Sequence, residues 1–145
     1  FDMPIVAFDD TLVVFRATDT RSGGFHGLYS TDLTSHTINK IADVNSSLPG
    51  IGKPTLIAYG GVAVSQGWVL FRAADADGNN ALYLWKDGAV NRVIGKGDRL
   101  DGLTVLDFTD PGPAALFGSS FVFNADFGRG MRGLYVATQV AAAYQ

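Results

Sequence analysis

VVFRATDTRSGGFHGLYS, residues 13–30, is written twice more in this chain, as VLFRAADADGNNALYLW at 69–85 and as FVFNADFGRGMRGLYVA at 121–137. The anchors of the motif are Phe15, Phe71 and Phe123, then Ala17, Ala73 and Ala125, then the pairs Leu28-Tyr29, Leu82-Tyr83 and Leu134-Tyr135. From Phe15 to Phe71 is 56 residues and from Phe71 to Phe123 is 52, close to the roughly 40–50 residues of known four-stranded repeats. Three homologous units are therefore expected, at about 3–50, 51–110 and 111–145, within a single domain.

Working outward from each anchor, a first strand is expected in the IVAF run ending at Phe8, in Ile57 to Val64 and in Ala114 to Phe117. The second strand carries the Phe and Ala and the third the Leu-Tyr pair. A fourth is expected near Ile38, near Val90 and from Val140 to Tyr144. Pro49, Pro54, Pro111 and Pro113 punctuate the connections between units. In the second strand Val13, Phe15 and Ala17 point one way and Val14 the other, so both faces carry apolar residues. Small antiparallel sheets covered on both faces and repeated in tandem point to an all-β chain of three four-stranded, blade-like units of propeller type, with a β-sandwich as the alternative.

Composition agrees with little helix. All 14 acidic residues are Asp, with none Glu, and 18 Gly accompany them. Asp and Gly serve turns, whereas Glu serves helix interiors. With 47% hydrophobic residues the chain can bury a core, yet no run approaches the roughly 20 apolar residues of a membrane-spanning helix. A net charge of -3, with Lys and Arg scattered singly, offers no face to nucleic acid. The absence of Cys removes thiolate chemistry, disulfides and Cys-ligated zinc. The chain opens on Phe1 and not Met, which points to a processed chain or a longer parent.

Residues recurring in all three units read as scaffold, and residues unique to one unit are free to be functional. Trp68 and Trp85 stand where the other units have Leu12 and Ser120, and Thr31 and Ala137. They are the candidate sugar-stacking platforms, weighed against simple packing. Arg16 and Arg72 follow the anchor Phe, with Asn124 in their place in the third unit. They either pair with Asp of adjacent units or ring a channel that takes an anionic group. Asp75, Asp77 and Asn79 alternate oxygen-bearing side chains as calcium loops do, but Gly78 is fourth and Lys86 twelfth, so a plain Asx-rich hairpin turn competes. His26 and His36 stand in no catalytic or metal motif, and there is no G-x-S-x-G elbow. Asp9-Asp10, Asp98 with Asp101 and Asp107 with Asp110 read as turn acids, not as a carboxylate pair facing across a cleft.

Gly27-Leu28-Tyr29, Gly133-Leu134-Tyr135, Gly97-Asp98 and Leu48-Pro49-Gly50 together resemble a family of bacterial secreted tandem-repeat proteins. Their units carry an NxxGxxAF signature, a Gly-Leu/Ile-Tyr strand and a Gly-Asp-x-x-Pro-Gly turn. The final Phe of the signature is present three times, but Phe8, Val64 and Leu116 fill its Asn position and Gly67 alone keeps its Gly. The resemblance implies a propeller-type, exported or surface-anchored module with no catalytic role, set in the periplasm, at the cell surface or outside the cell. The expectation is a non-enzymatic subunit that docks to protein partners or to itself to complete a ring, three units being fewer than the about 4–8 blades of a closed propeller. A lectin-like, glycan-binding role is the alternative.

Overall fold

The computed structural model describes residues 6–19, 25–112 and 114–139. Strands β1 (Val6–Phe8), β2 (Leu12–Asp19), β3 (Phe25–Asp32) and β4 (Ile38–Asp43) form the first sheet. The second comprises β5 (Leu56–Ser65), β6 (Trp68–Ala74), β7 (Asn80–Lys86) and β8 (Ala89–Gly95). A small hairpin, β9 (Arg99–Leu100) with β10 (Leu103–Thr104), precedes the third sheet of β11 (Asp107–Phe108), β12 (Leu116–Phe117), β13 (Ser120–Gly128) and β14 (Met131–Thr138). All pairing is antiparallel, the first two sheets are simple meanders, and the described residues contain no helix. The all-β expectation is met.

The repeat is visible in the register. Phe15 lies opposite Tyr29, Phe71 opposite Tyr83 and Phe123 opposite Tyr135. In each pair the rings stack, with centroids 6.0, 5.6 and 5.7 Å apart and planes 24°, 24° and 23° apart. Each sheet thus has an aromatic face, bearing the Phe–Tyr stack, and an aliphatic face, bearing the intervening Val and Leu residues. The Gly of the Gly-Leu-Tyr element has a steric reason. A Cβ on Gly27 or Gly133 would come within 2.5 or 2.6 Å of the ring of Tyr29 or Tyr135, two residues on and on the same face.

The second sheet is buried on both faces. Its aromatic face (Val69, Phe71, Ala73, Ala81, Tyr83 and Trp85) packs with Leu12, Val14 and Leu28 on the aliphatic face of the first sheet. Its own aliphatic face (Leu70, Leu82, Leu84) packs with Phe121, Phe123 and Ala125 on the aromatic face of the third. One rule thus governs both contacts: the aliphatic face of one unit meets the aromatic face of the next. The linker between the first two units is stapled across this layer, with Leu48 buried in the core and the Tyr83 hydroxyl donating to the Pro49 carbonyl at 2.7 Å.

The first strands depart from simple expectation. In β5 the register shifts between Ile57 and Val62, with Ala58 and Gly60 at φ 53° and 89°. In the third unit the same bulge has grown until the strand splits. β11 pairs with Ala125 and Asp126, β12 with Ser120 and Phe121, and both lie along one edge of β13. The third sheet therefore begins at Asp107, inside the segment expected to belong to the second unit. The bulge and the excursion touch. A Cβ on Gly61 would come within 2.2 Å of the Pro111 carbonyl oxygen, and one on Gly60 within 2.3 Å of the Asp110 carboxylate. The fourth strand expected at Val140 to Tyr144 lies outside the described residues.

Leu82 fills the contact between the second and third sheets and is 1% exposed. Truncation leaves a cavity that close-packed sheets relax into only in part. Leu82→Ala is expected to lower stability by about 2–5 kcal/mol, read as a fall in the urea midpoint with an unchanged slope.

Candidate functional site

Two features of the described residues bring polar groups of neighbouring sheets together: a groove between the first and second sheets, and a charged clamp between the second and third. The groove has a volume of about 540 Å³ and lies where the β1–β2, β3–β4, β5–β6 and β7–β8 turns converge. Asn39, Lys40, Gln66 and Asp87 bring polar side chains to it, and Trp85 forms part of its wall. Trp85 is 4% exposed, so the indole is mostly core, and its buried Nε1 has no hydrogen-bond partner. Trp68 lies on the opposite face of the second sheet, packed toward the third, and the Lys86 ammonium sits 5.0 Å from its ring centroid. The two tryptophans therefore serve different layers and form no common platform.

The clamp is centred on Arg72. Its Nη1 donates to Asp110 Oδ1 at 2.7 Å and to the Phe108 carbonyl at 3.3 Å, and its Nη2 to Asp107 Oδ1 at 2.7 Å and Asn80 Oδ1 at 3.2 Å. The guanidinium also lies 4.5 Å from the Phe108 ring centroid and 4.9 Å from that of Tyr59. Burial works against its charge, but the Asp110 hydrogen bond and the surrounding groups outweigh it and hold the guanidinium pKa above its ordinary value. Asp107 lies on β11 of the third sheet and Asp110 in the excursion that follows it, whereas the arginine belongs to the second sheet, so the clamp crosses the layer. Arg16 occupies the matching position in the first sheet without a matching clamp. By strand register the place of Asp107 in the second unit is taken by Leu56, and among the described side chains Arg16 makes no ion pair. Sequence inspection expected Arg72 to pair with Asp of an adjacent unit, as it does, but gave Asp107 and Asp110 only as turn acids; these partners lie 35 and 38 residues from Arg72.

A second arginine ties a turn to the sheet. Arg92 donates through Nη1 and Nη2 to the two oxygens of Asp98 at 2.8 and 2.9 Å, and the Gly95 amide donates to Asp98 Oδ2 at 2.8 Å. Gly50 and Gly95 leave room for it, since a Cβ on either would fall within 2.6 or 2.3 Å of the Arg92 side chain. The Gly-Asp element is thus an anchored turn.

Asp75, Asp77 and Asn79 come together as a hairpin turn. Asp75 Oδ1 accepts from the amides of Asp77 and Asn79, each at 2.9 Å, and Oδ2 from Asn79 Nδ2 at 2.8 Å. Among the described residues no group of three or more acidic or histidine side chains is placed to share a metal ion. His36 sits in the β3–β4 turn at φ 57°, and the His26 side chain is outside what is described. No family model matches the chain, and no curated protein or solved structure matches it either.

Two measurements check these assignments. Arg72→Ala is expected to cost about 2 kcal/mol, and Asp107→Asn about 1 kcal/mol because that acid is largely solvated and can rehydrate, both read from urea unfolding. The second is acid sensitivity. At Asp9, Asp43 and Asp98 burial opposes ionisation but is outweighed by hydrogen bonds, from the Thr11 and Leu12 amides, from Lys40 and Ser46, and from Arg92 and Gly95 respectively. Each folded carboxyl therefore lies below its ordinary 3.8. Their stabilisation is fully present above about pH 4 and is lost as pH falls through the lower, folded values. The urea midpoint should hold from pH 7 to 5 and fall below pH 4, with a shallower fall in Asp98→Asn.

Proposed function

We propose that this chain is a rigid, non-catalytic binding or structural module of propeller type that docks to protein partners through the two ends of its stack. The observation that carries this reading is the exposure, at those ends, of the same register positions that are buried inside. Leu134 and Val136 of β14 are 69% and 71% exposed, whereas their counterparts Leu82 and Leu84 are buried. Apolar rows of this kind on otherwise closely packed sheets mark contact surfaces. The charged groups support the non-catalytic part. Arg72 and Arg92 are held in ion pairs, and the carboxylates of Asp9, Asp32, Asp75 and Asp98 accept hydrogen bonds from amides of their own turns. The likeness of the Gly-Leu-Tyr and Gly-Asp elements to exported bacterial repeat proteins supports an extracytoplasmic setting.

A second reading, glycan binding, is favoured by the groove beside Trp85, whose polar lining of Asn39, Gln66 and Asp87 suits hydroxyl-rich ligands. A glycan array separates the two. Saccharide binding that is lost on Asn39→Ala with Gln66→Ala supports the second reading, and an array without binding removes it.

For the docking reading, the protein is isolated from its source under gentle conditions and every co-purifying chain is identified by mass. Recovery in a stoichiometric assembly, with amide-exchange protection on β14 or on β1 and β2, is the expected result. Recovery alone and as a monomer sinks the reading.

A further inference from the structure

The two open ends of the stack carry unlike apolar faces. At its C-terminal end the third sheet presents its aliphatic face: Phe117, Val122, Leu134 and Val136, all exposed, which by strand register correspond to Ser65, Leu70, Leu82 and Leu84 of the second sheet. In the second sheet Leu70, Leu82 and Leu84 of that row pack on the aromatic face of the unit that follows. At the N-terminal end the first sheet presents its aromatic face: the Phe15–Tyr29 stack, flanked by Phe8 at 73% and Ile38 at 66% exposed. Their counterparts are Val64 and Val90 in the second sheet, and Leu116 stands in the place of Phe8 in the third. All three of those residues are packed against the preceding unit's layer or lie within the core formed with it.

We propose that the aliphatic face of the third sheet seats on the aromatic face of the first sheet of a second copy of this chain, and that the reciprocal contact closes a head-to-tail pair. The inference names a partner for the docking role proposed above and rests on it. The pairing continues the internal interfaces: the same positions, the same side of each sheet and the same order of faces are used twice inside the molecule and left open once at each end. A same-face pairing, aliphatic on aliphatic, would use an arrangement that neither internal interface uses. The polar residues favour the contact as well. Where the second sheet has Arg72, the third has Asn124, so docking buries no guanidinium that would then need the acids of a following unit. Two copies supply six sheets, within the about 4–8 that close a propeller ring, whereas a head-to-tail contact that failed to close would run on into a filament.

The test is the oligomeric state of the purified 145-residue chain by sedimentation equilibrium and light scattering, with no other protein present. The expected mass is twice 15.4 kDa. Leu134→Asp with Val136→Asp disrupts the aliphatic face, and Phe8→Asp with Ile38→Asp disrupts the aromatic face. Each double variant should retain the far-UV circular dichroism of the parent and fall to the mass of one chain. Mixing the two variants should restore a two-chain complex, because each keeps the face the other lacks. A parent that stays monomeric at 100 µM overturns the proposal. A dimer abolished by one double variant but untouched by the other overturns it as well, since that is a two-fold, same-face contact. Masses that climb without limit overturn the closed pair. If the purified chain is monomeric while the protein from its source is held by another chain, this inference fails and the docking reading stands; if both are monomeric, both fail.

Discussion

The cross-strand Phe–Tyr stack is the constraint on which the rest of the molecule depends. An aromatic pair directly opposite across two antiparallel strands contributes about 0.5–1.5 kcal/mol beyond its burial, a modest term. Its larger effect is on register. Phe15, Phe71 and Phe123 each meet a Tyr, and a slip by one residue would move the whole row to the other face. Once the register is set, the Leu preceding each Tyr points the opposite way. Every unit then acquires two unlike apolar faces, and unlike faces stack in one order only.

The polar contacts follow from that order. Arg72 projects from an aliphatic face into the next layer, and the widened bulge of the third unit brings Asp107 and Asp110 there to meet it. Gly60 and Gly61 let the corresponding bulge of β5 lie against Asp110 and Pro111. The turns at the groove end are linked in the same direction. The Gly67 amide donates to Asp9 Oδ2 at 3.2 Å and the Gly118 amide to Ser65 Oγ at 2.9 Å, each bond joining one unit to the next. Sheet contact, clamp and turn link thus connect neighbours, as in repeat proteins generally, where stability is close to a sum over units and the interfaces between them.

The central strands of the first two units were legible in the sequence because each pair is announced by the same residues: Phe-Arg-Ala at Phe15 to Ala17 and Phe71 to Ala73, and Leu-Tyr at Leu28-Tyr29 and Leu82-Tyr83. The split of the third unit's first strand was not. Asp107-Phe108 is two residues long, and its pairing with Ala125 and Asp126 is decided by the width of an excursion, which local propensity does not encode. The candidate site was legible only by residue. Arg16 and Arg72 are indistinguishable in their own units, and what separates them is whether the following unit carries acids or Leu56 in reach. Trp85 and Trp68 were marked as unusual, but their assignment to opposite layers required the register. The turn at Asp75 read as either a calcium loop or an Asx turn, and the amides that its carboxylate accepts from belong to its own turn.

The burial of the middle sheet bears on how such a chain can end. A two-layer sandwich needs one apolar face per sheet, and alternation of buried and wet positions follows. In β6 Val69 through Ala74 are buried without a break, as are Ala81 through Trp85 in β7. A sheet of that kind has a neighbour on each side, and the first and third sheets carry matching rows with only one neighbour each. The difference between Leu82, buried, and Leu134, exposed, is therefore not in the side chain or its strand. It lies in whether another unit follows. Because the rule of aliphatic on aromatic has a direction, the described residues leave an aliphatic face at one end of the stack and an aromatic face at the other.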